Sequence, residues 1–476
     1  MLPLYEFTDK KYLERIHEGS IEILEESGIR ILNDDVLGKL YDAGFPVDFE
    51  EKKVKIPSAF ILRALETCPK EFSLFGRKAE NQILLKADGN IFTRSTGGPE
   101  FILNPETQQK EPLTLASVAN YTKLIDALPN IKYVKNIWPN DVPFNVRDVH
   151  TVFIMLKNTG KHLIVQPYSA ASLDYIVDII SLISDDNRRS IKKPLVSFYI
   201  SITSPLQFDK ESIEMLIKAG ECRIPILMNS TPLAGGTCPV TIAGMVVLIN
   251  AEILAGITIH QHFNPGSPII YTPRPYIFDM NTGICAHGYI ENSLASIILV
   301  HLVKSMYKIP IEILGPATDS KTVNLQSILE RVFLTFVPCF AYPNLIAGAG
   351  NLESSSLVSP IQLIIDNEIF GIMYRAIHGV EVSDNTLAVD LIKEMGSGAS
   401  YLQSDHTFLN FRKELYLSNF LDREFREIWE SKGERDLTDT ALSIYKKIMA
   451  SHEPPPLEHD KEVEITKLIK CAEKEL

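Results

Sequence analysis

Two arginines, Arg94 and Arg274, stand at the ends of apolar runs of the kind that forms buried strands. A guanidinium group can bind a carboxylate through two parallel hydrogen bonds, so either arginine is a candidate anchor for an acidic substrate. The alternative is that each pairs with Asp141, Asp279 or Asp319 and fixes a loop in place. Strand-end positions are poor in clustered carboxylates, which argues against glycoside hydrolysis and metal-assisted phosphate chemistry.

Aromatic residues occupy similar positions. They are Trp138, Tyr168, Tyr271, Tyr276 and Phe278. Aromatic faces attract cations, so this set is suited to line a cage for a quaternary ammonium group. Ordinary packing in the core or at its rim is the alternative for each ring.

The segment His260-Gln261-His262 places two imidazoles two residues apart. On a strand such residues share one face, so the pair is a candidate for two zinc ligands. The sequence offers no well-placed third ligand, and a hydrogen-bonded interior histidine is the alternative reading.

Eight apolar, strand-like runs must position these residues, and they recur every 30 to 43 residues. The runs begin near Ile91, Tyr133, Leu163, Leu195, Ile226, Ile269, Ile311 and Leu345. Helical patterns separate most of them, which predicts parallel strands buried on both faces. Residues 86–400 are therefore predicted to form a (β/α)8 TIM barrel with its site at the strand C-termini. A doubly wound sheet is disfavoured because no glycine-rich dinucleotide fingerprint follows any strand.

The flanking regions are predicted to be smaller units. Residues 1–85 indicate an α+β segment with helices over 10–27, over 36–43 and from a cap at Ser58. Residues 401–476 indicate a charged helical extension. Residues 241–260 are long and apolar enough for a membrane span, but Glu252 lies among them, which favours a buried helix.

The composition is typical of a globular protein, with 476 residues, 45% hydrophobic and 22% charged. A net charge of −13 argues against nucleic-acid and anionic-membrane partners. The six cysteines are scattered without a C-x-x-C motif, which indicates reduced thiols. With no signal peptide indicated at the N-terminus, these features predict a cytoplasmic protein.

Several blocks along the chain resemble the trimethylamine methyltransferase family, and in particular its members without pyrrolysine. They include LERIHEGSIEILEESGIRI near the start, YTKLIDALPNIKYV, FDMNTG, AGNLE, DHTFLNFR and LDREFREIW. The resemblance covers essentially the whole length. It implies a barrel methyltransferase, expected to be a homo-oligomer. Such an enzyme works with a separate corrinoid protein, whose Co(I) accepts a methyl group from an N-methyl substrate.

The resemblance also implies a substrate class. Trimethylamine-specific members carry pyrrolysine at the end of the last strand, a position that falls within Gly348, Ala349 and Gly350, best at Ala349. An ordinary residue there favours a quaternary amine, glycine betaine first, with proline betaine, carnitine and γ-butyrobetaine as competitors. Arg94, His260 or His262 would hold the carboxylate. No metal or cofactor is expected in the chain itself. A non-catalytic barrel and a metal-dependent lyase or hydrolase are the alternatives.

Overall fold

Eight parallel strands form the centre of the protein in a computed structural model that describes residues 9–188 and 191–476. They are β1 (Phe92–Ser95), β2 (Tyr133–Lys135), β3 (His162–Val165), β4 (Val196–Ile202), β5 (Ile226–Ser230), β6 (Ile269–Pro273), β7 (Glu312–Leu314) and β8 (Leu345–Ala349). Neighbours pair in the order β6-β5-β4-β3-β2-β1-β8-β7. A parallel bridge between Tyr271 and Ile311 joins the two ends. The predicted (β/α)8 barrel is confirmed, with all eight strands where the apolar runs placed them.

A helix follows each strand, and together the helices form the outer ring. They are α1 (Leu115–Ala127), α2 (Arg147–Asn158), α3 (Ala170–Ser184), α4 (Lys210–Glu221), α5 (Ile242–Phe263), α6 (Ile290–Leu302), α7 (Leu325–Cys339) and α8 (Pro360–His378). A single π-helical turn, Val303–Tyr307, extends α6.

The barrel interior is closed at its lower end, where the strands begin. Inward-facing side chains form one apolar cluster: Tyr133, Ile164, Tyr199, Leu227, Ile270 and Leu345. The antiparallel hairpin Glu71–Leu74 and Ile83–Lys86 adds Leu74, Ile83 and Leu85 to this cluster. Because the hairpin covers the lower end, the strand C-termini are the end at which a barrel site can form.

Loops at the upper end form two small sheets. One contains Phe101–Leu103, Lys110–Pro112, Asn351–Leu352 and Leu357–Val358, from the loops after β1 and β8. The other contains Leu233–Ala234, Tyr276–Asp279 and Ile284–Ala286, from the loops after β5 and β6. Single 3₁₀ turns at Phe144–Val146 and Glu353–Ser355 complete this rim. The rim therefore frames the end at which barrel sites form.

Helix α5 is buried on nearly all sides, which explains its composition. The most apolar stretch of this helix is 78% buried, because helices of the N-terminal segment cover the side that faces away from the strands. Glu252 is fully buried and accepts hydrogen bonds from the Ser204 and Ser230 hydroxyls and the Leu206 N–H. The prediction of a buried helix rather than a membrane span is confirmed.

The N-terminal segment packs on α5. Its elements are the helices Lys10–Glu26, Asp34–Asp42 and Ser58–Thr67, the strands Ile29–Ile31, Val47–Asp48 and Lys53–Val54, and the 3₁₀ turn Ala79–Asn81. Strand Ile29–Ile31 pairs with Gln207–Phe208 of the loop after β4, so this segment shares a sheet with the barrel domain. The predicted capping by Ser58 is wrong. Pro57 occupies the cap position and Ser58 is the first helical residue. The Ser58 N–H donates to the Glu25 carboxylate. The predicted absence of a signal peptide rests partly on residues 1–8, which lie outside the described residues.

The C-terminal region wraps around the outer ring. Its elements are Asp384–Leu387, Val389–Met395, Tyr401–Gln403, Asp405–Glu414, Arg426–Ser431, Leu437–Ser451 and His459–Glu475. Helix Leu437–Ser451 packs against α8 and α1, and helix His459–Glu475 packs against α2 and α3. Since α8 ends at His378, residues 379–400 also lie outside the barrel.

Candidate functional site

A buried ion cluster lies inside the barrel and joins Arg94 on β1, Arg274 directly after β6, and Glu312, the first residue of β7. Nε and Nη2 of Arg94 donate to the two carboxylate oxygens of Glu312, each at 2.8 Å. Nη2 of Arg274 donates to the same carboxylate. The three side chains are at most 4% exposed. Both arginines therefore have a carboxylate partner, but it is Glu312 on β7 rather than any of the three aspartates considered from the sequence.

The two arginines differ in how many hydrogen bonds they make to the Glu312 carboxylate. The third nitrogen of the Arg94 guanidinium, Nη1, donates to the Ser95 carbonyl at 2.8 Å, so all its nitrogens are engaged. Arg274 instead meets the carboxylate through Nη2 alone, and its Nη1 donates to the carbonyls of Pro273 and Glu312. Arg94 is thus a structural partner of Glu312. The predicted role of Arg94 as substrate anchor does not fit this geometry.

Lys135 on β2 adds a third basic side chain. It is 7% exposed, and its Nζ lies 3.2 Å from the centroid of the Tyr199 ring. Gly97 leaves the space that this side chain fills, because a Cβ at position 97 would lie 2.3 Å from Cγ of Lys135. Gly97, which follows β1, therefore has a steric role that a larger residue could not fill.

Burial and mutual charge set the ionisation of the cluster. Burial would raise the pKa of Glu312, but Arg94 and Arg274 outweigh it and lower the value to about 2. Burial, together with the same two arginines, lowers the pKa of Lys135 well below its ordinary value. The pKa of the Tyr199 hydroxyl is raised, mainly by burial. The cluster thus sets two guanidinium cations against one carboxylate, beside a lysine whose ammonium form is disfavoured by burial and by the two arginines.

One predicted aromatic residue, Tyr276 of the rim sheet, lies close to Arg274 of this cluster. The Tyr276 ring stacks on His287, with centroids 3.9 Å apart and planes 4° apart. Asp319 holds this pair in place by accepting the backbone N–H of His287 at 2.8 Å. Phe278 lies two residues further along the same rim strand and is partly exposed. Among the predicted aromatic residues, Tyr276 is the one that the structure brings to the ion cluster, with Phe278 beyond it.

Trp138 and Tyr168 belong to a separate aromatic group. Their rings stack with centroids 4.7 Å apart, and Phe144 stacks on Tyr168 at 4.6 Å. The guanidinium carbon of Arg147 lies 5.1 to 5.7 Å from the three ring centroids. Arg147 also donates to the Tyr168 hydroxyl and to Glu100. Two of the five predicted aromatic residues therefore lie together, and a cation of the protein itself, Arg147, lies against their rings.

Tyr271, His260 and His262 face away from the barrel interior, so their predicted substrate contacts are wrong. Strand alternation turns Ile270 inward and Tyr271 outward, where its hydroxyl donates to Asn250 on α5 at 3.0 Å. The two histidines lie at the C-terminal end of α5, not on a strand.

On a helix, residues two apart point about 200° from each other, so the two imidazoles cannot share one ion. Nδ1 of His260 lies 3.1 Å from the Leu216 carbonyl oxygen, and the His262 ring packs edge-on against Phe45. Both lie near the lower end of the barrel, where α5 leads into β6.

The segment of Gly348, Ala349 and Gly350 forms a bulge at the end of β8. Ala349 is fully buried and packs, like Ile346, in the apolar cluster between strands and helices. Gly348 and Gly350 have φ angles of 125° and 84°, which favour glycine. The side chain at position 349 therefore faces the helix layer. Its correspondence with the pyrrolysine position of relatives stays a prediction.

A buried ion pair holds this bulge from behind. The Gly350 N–H donates to Oδ2 of Asp366 at 2.6 Å, and Nη1 of Arg331 donates to the same oxygen at 2.5 Å. Asn351 donates to the Gly348 carbonyl at 2.6 Å. Arg331 and Asp366 are fully buried. These contacts fix the strand end in one conformation.

Sequence reasoning missed Lys135, Tyr199 and Glu312, which the structure places at the centre of the site. Each lies within an apolar run: YVKNIW, LVSFYI and IEILG. For Lys135 and Glu312 the charge inside such a run was an available signal, because a barrel strand buried on both faces has few reasons to contain one. Tyr199 gave no such signal, since its run contains no charged residue.

An eight-stranded α/β barrel with a buried polar cluster in its interior has the architecture of a TIM-barrel enzyme. Residues 1–476 match the family model described as Trimethylamine methyltransferase (MTTB), and the chain belongs to this methyltransferase family.

Individual relatives agree. The chain is 30% identical over 452 residues to the trimethylamine methyltransferase MttB of Desulfitobacterium hafniense (strain DSM 10664 / DCB-2), covering 95% of this chain and 90% of that protein. It is 28% identical over 479 residues to the glycine betaine methyltransferase of Desulfitobacterium hafniense (strain Y51), covering 100% and 99%. The solved Methanosarcina barkeri monomethylamine methyltransferase (MtmB) shares the fold, with a TM-score of 0.54 at 14% identity over 98% and 87% of the two chains.

Proposed function

We propose that the protein transfers a methyl group from a small zwitterionic quaternary amine, glycine betaine first, to the Co(I) of a corrinoid carried by a separate protein. One observation carries the choice of substrate. The interior cluster of Arg94, Arg274, Lys135 and Glu312 has more basic groups than acidic ones, which suits a ligand with a carboxylate. The 28% identity to a glycine betaine methyltransferase supports the same choice.

The chemistry of the leaving group supports a quaternary substrate. A tertiary amine would leave as an amide anion unless its nitrogen were first made cationic, whereas a quaternary ammonium leaves as a neutral amine. No general acid is then required. Among the groups of the described cluster, Glu312 is held ionised and Tyr199 has a raised pKa, so neither is tuned to deliver a proton near pH 7.

The chain's own residues bind and orient the substrate in this proposal. The carboxylate points inward to Lys135 and Arg274, and the ammonium group points outward past Tyr199 and Tyr276. The aromatic faces stabilise the cation without a covalent partner. One N-methyl group is thereby directed to the rim, and the surrounding rings exclude water. The bound corrinoid would supply the nucleophile that accepts this methyl group.

Methyl transfer to free Co(I)-cobalamin tests the proposal. Purified protein is incubated with each candidate amine, and the loss of the Co(I) absorbance band is followed anaerobically. Glycine betaine is expected to support transfer and trimethylamine is not. Arg274→Met is expected to lose transfer, whereas Arg426→Met, at an exposed position, is the matched control. Transfer from trimethylamine but from no quaternary amine would overturn the proposal.

Proline betaine, carnitine and γ-butyrobetaine are the competing substrates. Each combines a carboxylate with a quaternary nitrogen, and they differ in ring structure or in the spacing between the two groups. Comparing kcat/KM for the four compounds under the same conditions separates them. A higher kcat/KM for a longer compound would make that compound the preferred substrate and leave the proposed reaction unchanged.

The protein is further proposed to be a cytoplasmic homo-oligomer. The six cysteines are free, as expected in a reducing compartment. Residues 380–437 expose many large apolar side chains, including Val380, Leu402, Phe408 and Phe425. Exposed apolar surface of this extent indicates a protein interface. Because α8 ends at the lower end of the barrel, where this segment begins, a second copy can bind it without covering the rim.

A further inference from the structure

The interior cluster carries a positive charge that no described group neutralises. Glu312 supplies one negative charge to the two guanidinium groups of Arg94 and Arg274. An unneutralised charge in a buried site is costly, and an anion from outside the chain would relieve this cost. The cluster is therefore preorganised for one more negative charge.

Lys135 is placed to meet that anion. Its amine contacts the Tyr199 ring at 3.2 Å, and within the described residues it forms no hydrogen bond through Nζ. Gly97 keeps the side chain in this position, since a Cβ there would lie 2.3 to 2.7 Å from three of its carbons. The site is thus built around a lysine whose donors are unused.

We propose that Lys135 and Arg274 together bind the substrate's carboxylate, and that Lys135 takes up a proton from solvent when this anion binds. That the carboxylate belongs to a small zwitterionic substrate rests on the proposed function. The proton uptake rests on the cluster alone.

The surroundings of Lys135 explain why the proton arrives with the ligand. Burial and the nearby Arg94 and Arg274 favour the neutral amine, and Glu312 only partly opposes them. A carboxylate beside Nζ adds a second negative charge and favours the ammonium form. The remaining titratable groups facing the amine do not change state, because Tyr133 and Tyr199 have pKa values raised by burial. Binding of the carboxylate should therefore be accompanied by proton uptake, with one proton per carboxylate as the upper limit.

Linkage then fixes the direction of the pH dependence. Because the complex holds one proton more than the free protein, affinity for the carboxylate should fall as pH rises. The decrease approaches about tenfold per pH unit between the free and the bound pKa of Lys135.

Two probes separate the carboxylate from the cation. The anion 3,3-dimethylbutanoate has the shape of glycine betaine with carbon in place of nitrogen, so it keeps the carboxylate and cannot donate a methyl group to cobalt. Tetramethylammonium keeps the cation alone. Isothermal titration calorimetry in phosphate and Tris at one pH gives the protons taken up, from the dependence of the measured heat on buffer ionisation enthalpy. We expect uptake with glycine betaine and 3,3-dimethylbutanoate, and none with tetramethylammonium.

Variants test the role of the lysine itself. Lys135→Met should weaken binding of both carboxylates about ten- to hundredfold and abolish proton uptake. Lys135→Arg, which is charged in both states, should bind a carboxylate without uptake. Lys132→Met, three residues earlier at the lower end of the barrel, is the control and should match the parent protein.

The outcomes are distinguishable from failure of the proposed function. Proton uptake with 3,3-dimethylbutanoate, without methyl transfer from any amine, would support the anion site and overturn the methyltransferase proposal. Carboxylate binding with no proton uptake, or uptake that persists in Lys135→Met, would overturn the inference. Absence of carboxylate binding by the folded parent protein would overturn it as well.

Discussion

Glu312 on β7 binds the guanidinium groups of Arg94 on β1, two strands away, and of Arg274, which directly follows β6. Its carboxylate is fully buried and accepts hydrogen bonds from Arg94, Arg274 and the Tyr133 hydroxyl. Removing one member of such a group leaves the opposite charge buried without a partner, which costs about 3–5 kcal/mol. The Glu312 side chain is therefore expected to stabilise the folded protein mainly through its charge.

We expect the Glu312 charge to contribute stability that depends on pH. Its pKa is about 2 in the folded protein, below its ordinary value of 4.5, so the contribution is complete above pH 4.5. It is lost as pH falls from 4.5 towards 2, and amounts to about 3 kcal/mol. Guanidinium unfolding of the parent protein and Glu312→Gln across this range measures it. The difference in unfolding free energy should shrink with acidification, and Glu51→Gln, an exposed control, should behave like the parent. A difference that does not vary with pH would show that the carboxylate acts through shape alone.

Gly97 determines how far Lys135 can extend over Tyr199. A methyl group at this position would displace the lysine side chain, so Gly97→Ala should reduce substrate binding about tenfold or more. The loss of stability should remain near 1–3 kcal/mol, as for other overpacked sites. Gly38→Ala is the control, because a Cβ there meets no atom within 4 Å and should raise helix stability by about 0.5–1 kcal/mol. Kd by calorimetry and midpoints of unfolding test both variants. Unchanged substrate affinity in Gly97→Ala would show that Lys135 does not bind the substrate.

At the scale of elements, the end of β8 depends on contacts with the helix layer. A Cβ at Gly350 would lie 2.1 Å from the Tyr121 hydroxyl oxygen, which forms no hydrogen bond within the described residues. Tyr121→Phe alone should therefore be neutral or slightly stabilising. Gly350→Ala should cost about 2–4 kcal/mol, from overpacking and from its φ of 84°.

The double variant tests this contact directly. With Tyr121→Phe in the background, the cost of Gly350→Ala should drop by about 1 kcal/mol or more, since the hydroxyl is gone and the backbone strain remains. Unfolding free energies of the four proteins give the coupling. Strict additivity would place the strain in the backbone or against Leu363 rather than against Tyr121.

The sequence predicts an element well when the residues of that element alone carry its pattern. Parallel strands buried on both faces appear as uninterrupted apolar runs, so all eight were predictable, as was α5. The same uniformity hides the inward or outward direction of each side chain, so Tyr271 was placed in the site although Ile270 faces inward. The pairing of Arg94 with Glu312 joins residues 218 positions apart and has no local signal.

At the scale of the molecule, the two ends of the barrel have different roles. The hairpin Glu71–Leu74 and Ile83–Lys86 closes the lower end, and two small sheets frame the upper one. The N-terminal segment covers α5, and the C-terminal helices cover α1, α2, α3 and α8. The proposed corrinoid protein would approach from the rim, which leaves the sides and the lower end of the barrel for assembly with other copies of this chain.

The exposed apolar residues 380–437 make this division testable. Leu402 and Phe408 are 82% and 73% exposed, and burying both in a second copy would remove a large apolar area from water. The parent protein should therefore be oligomeric by light scattering, whereas Leu402→Glu with Phe408→Glu should shift it to a smaller species, because two charges in a dry interface oppose association. Tyr41→Glu, at another exposed aromatic position, should leave the mass unchanged. Methyl transfer to free cobalamin should persist in the smaller species, since Leu402 and Phe408 belong to neither the barrel strands nor the sheets of the rim. A monomeric parent protein, or a variant of unchanged mass, would assign this apolar segment to a different partner.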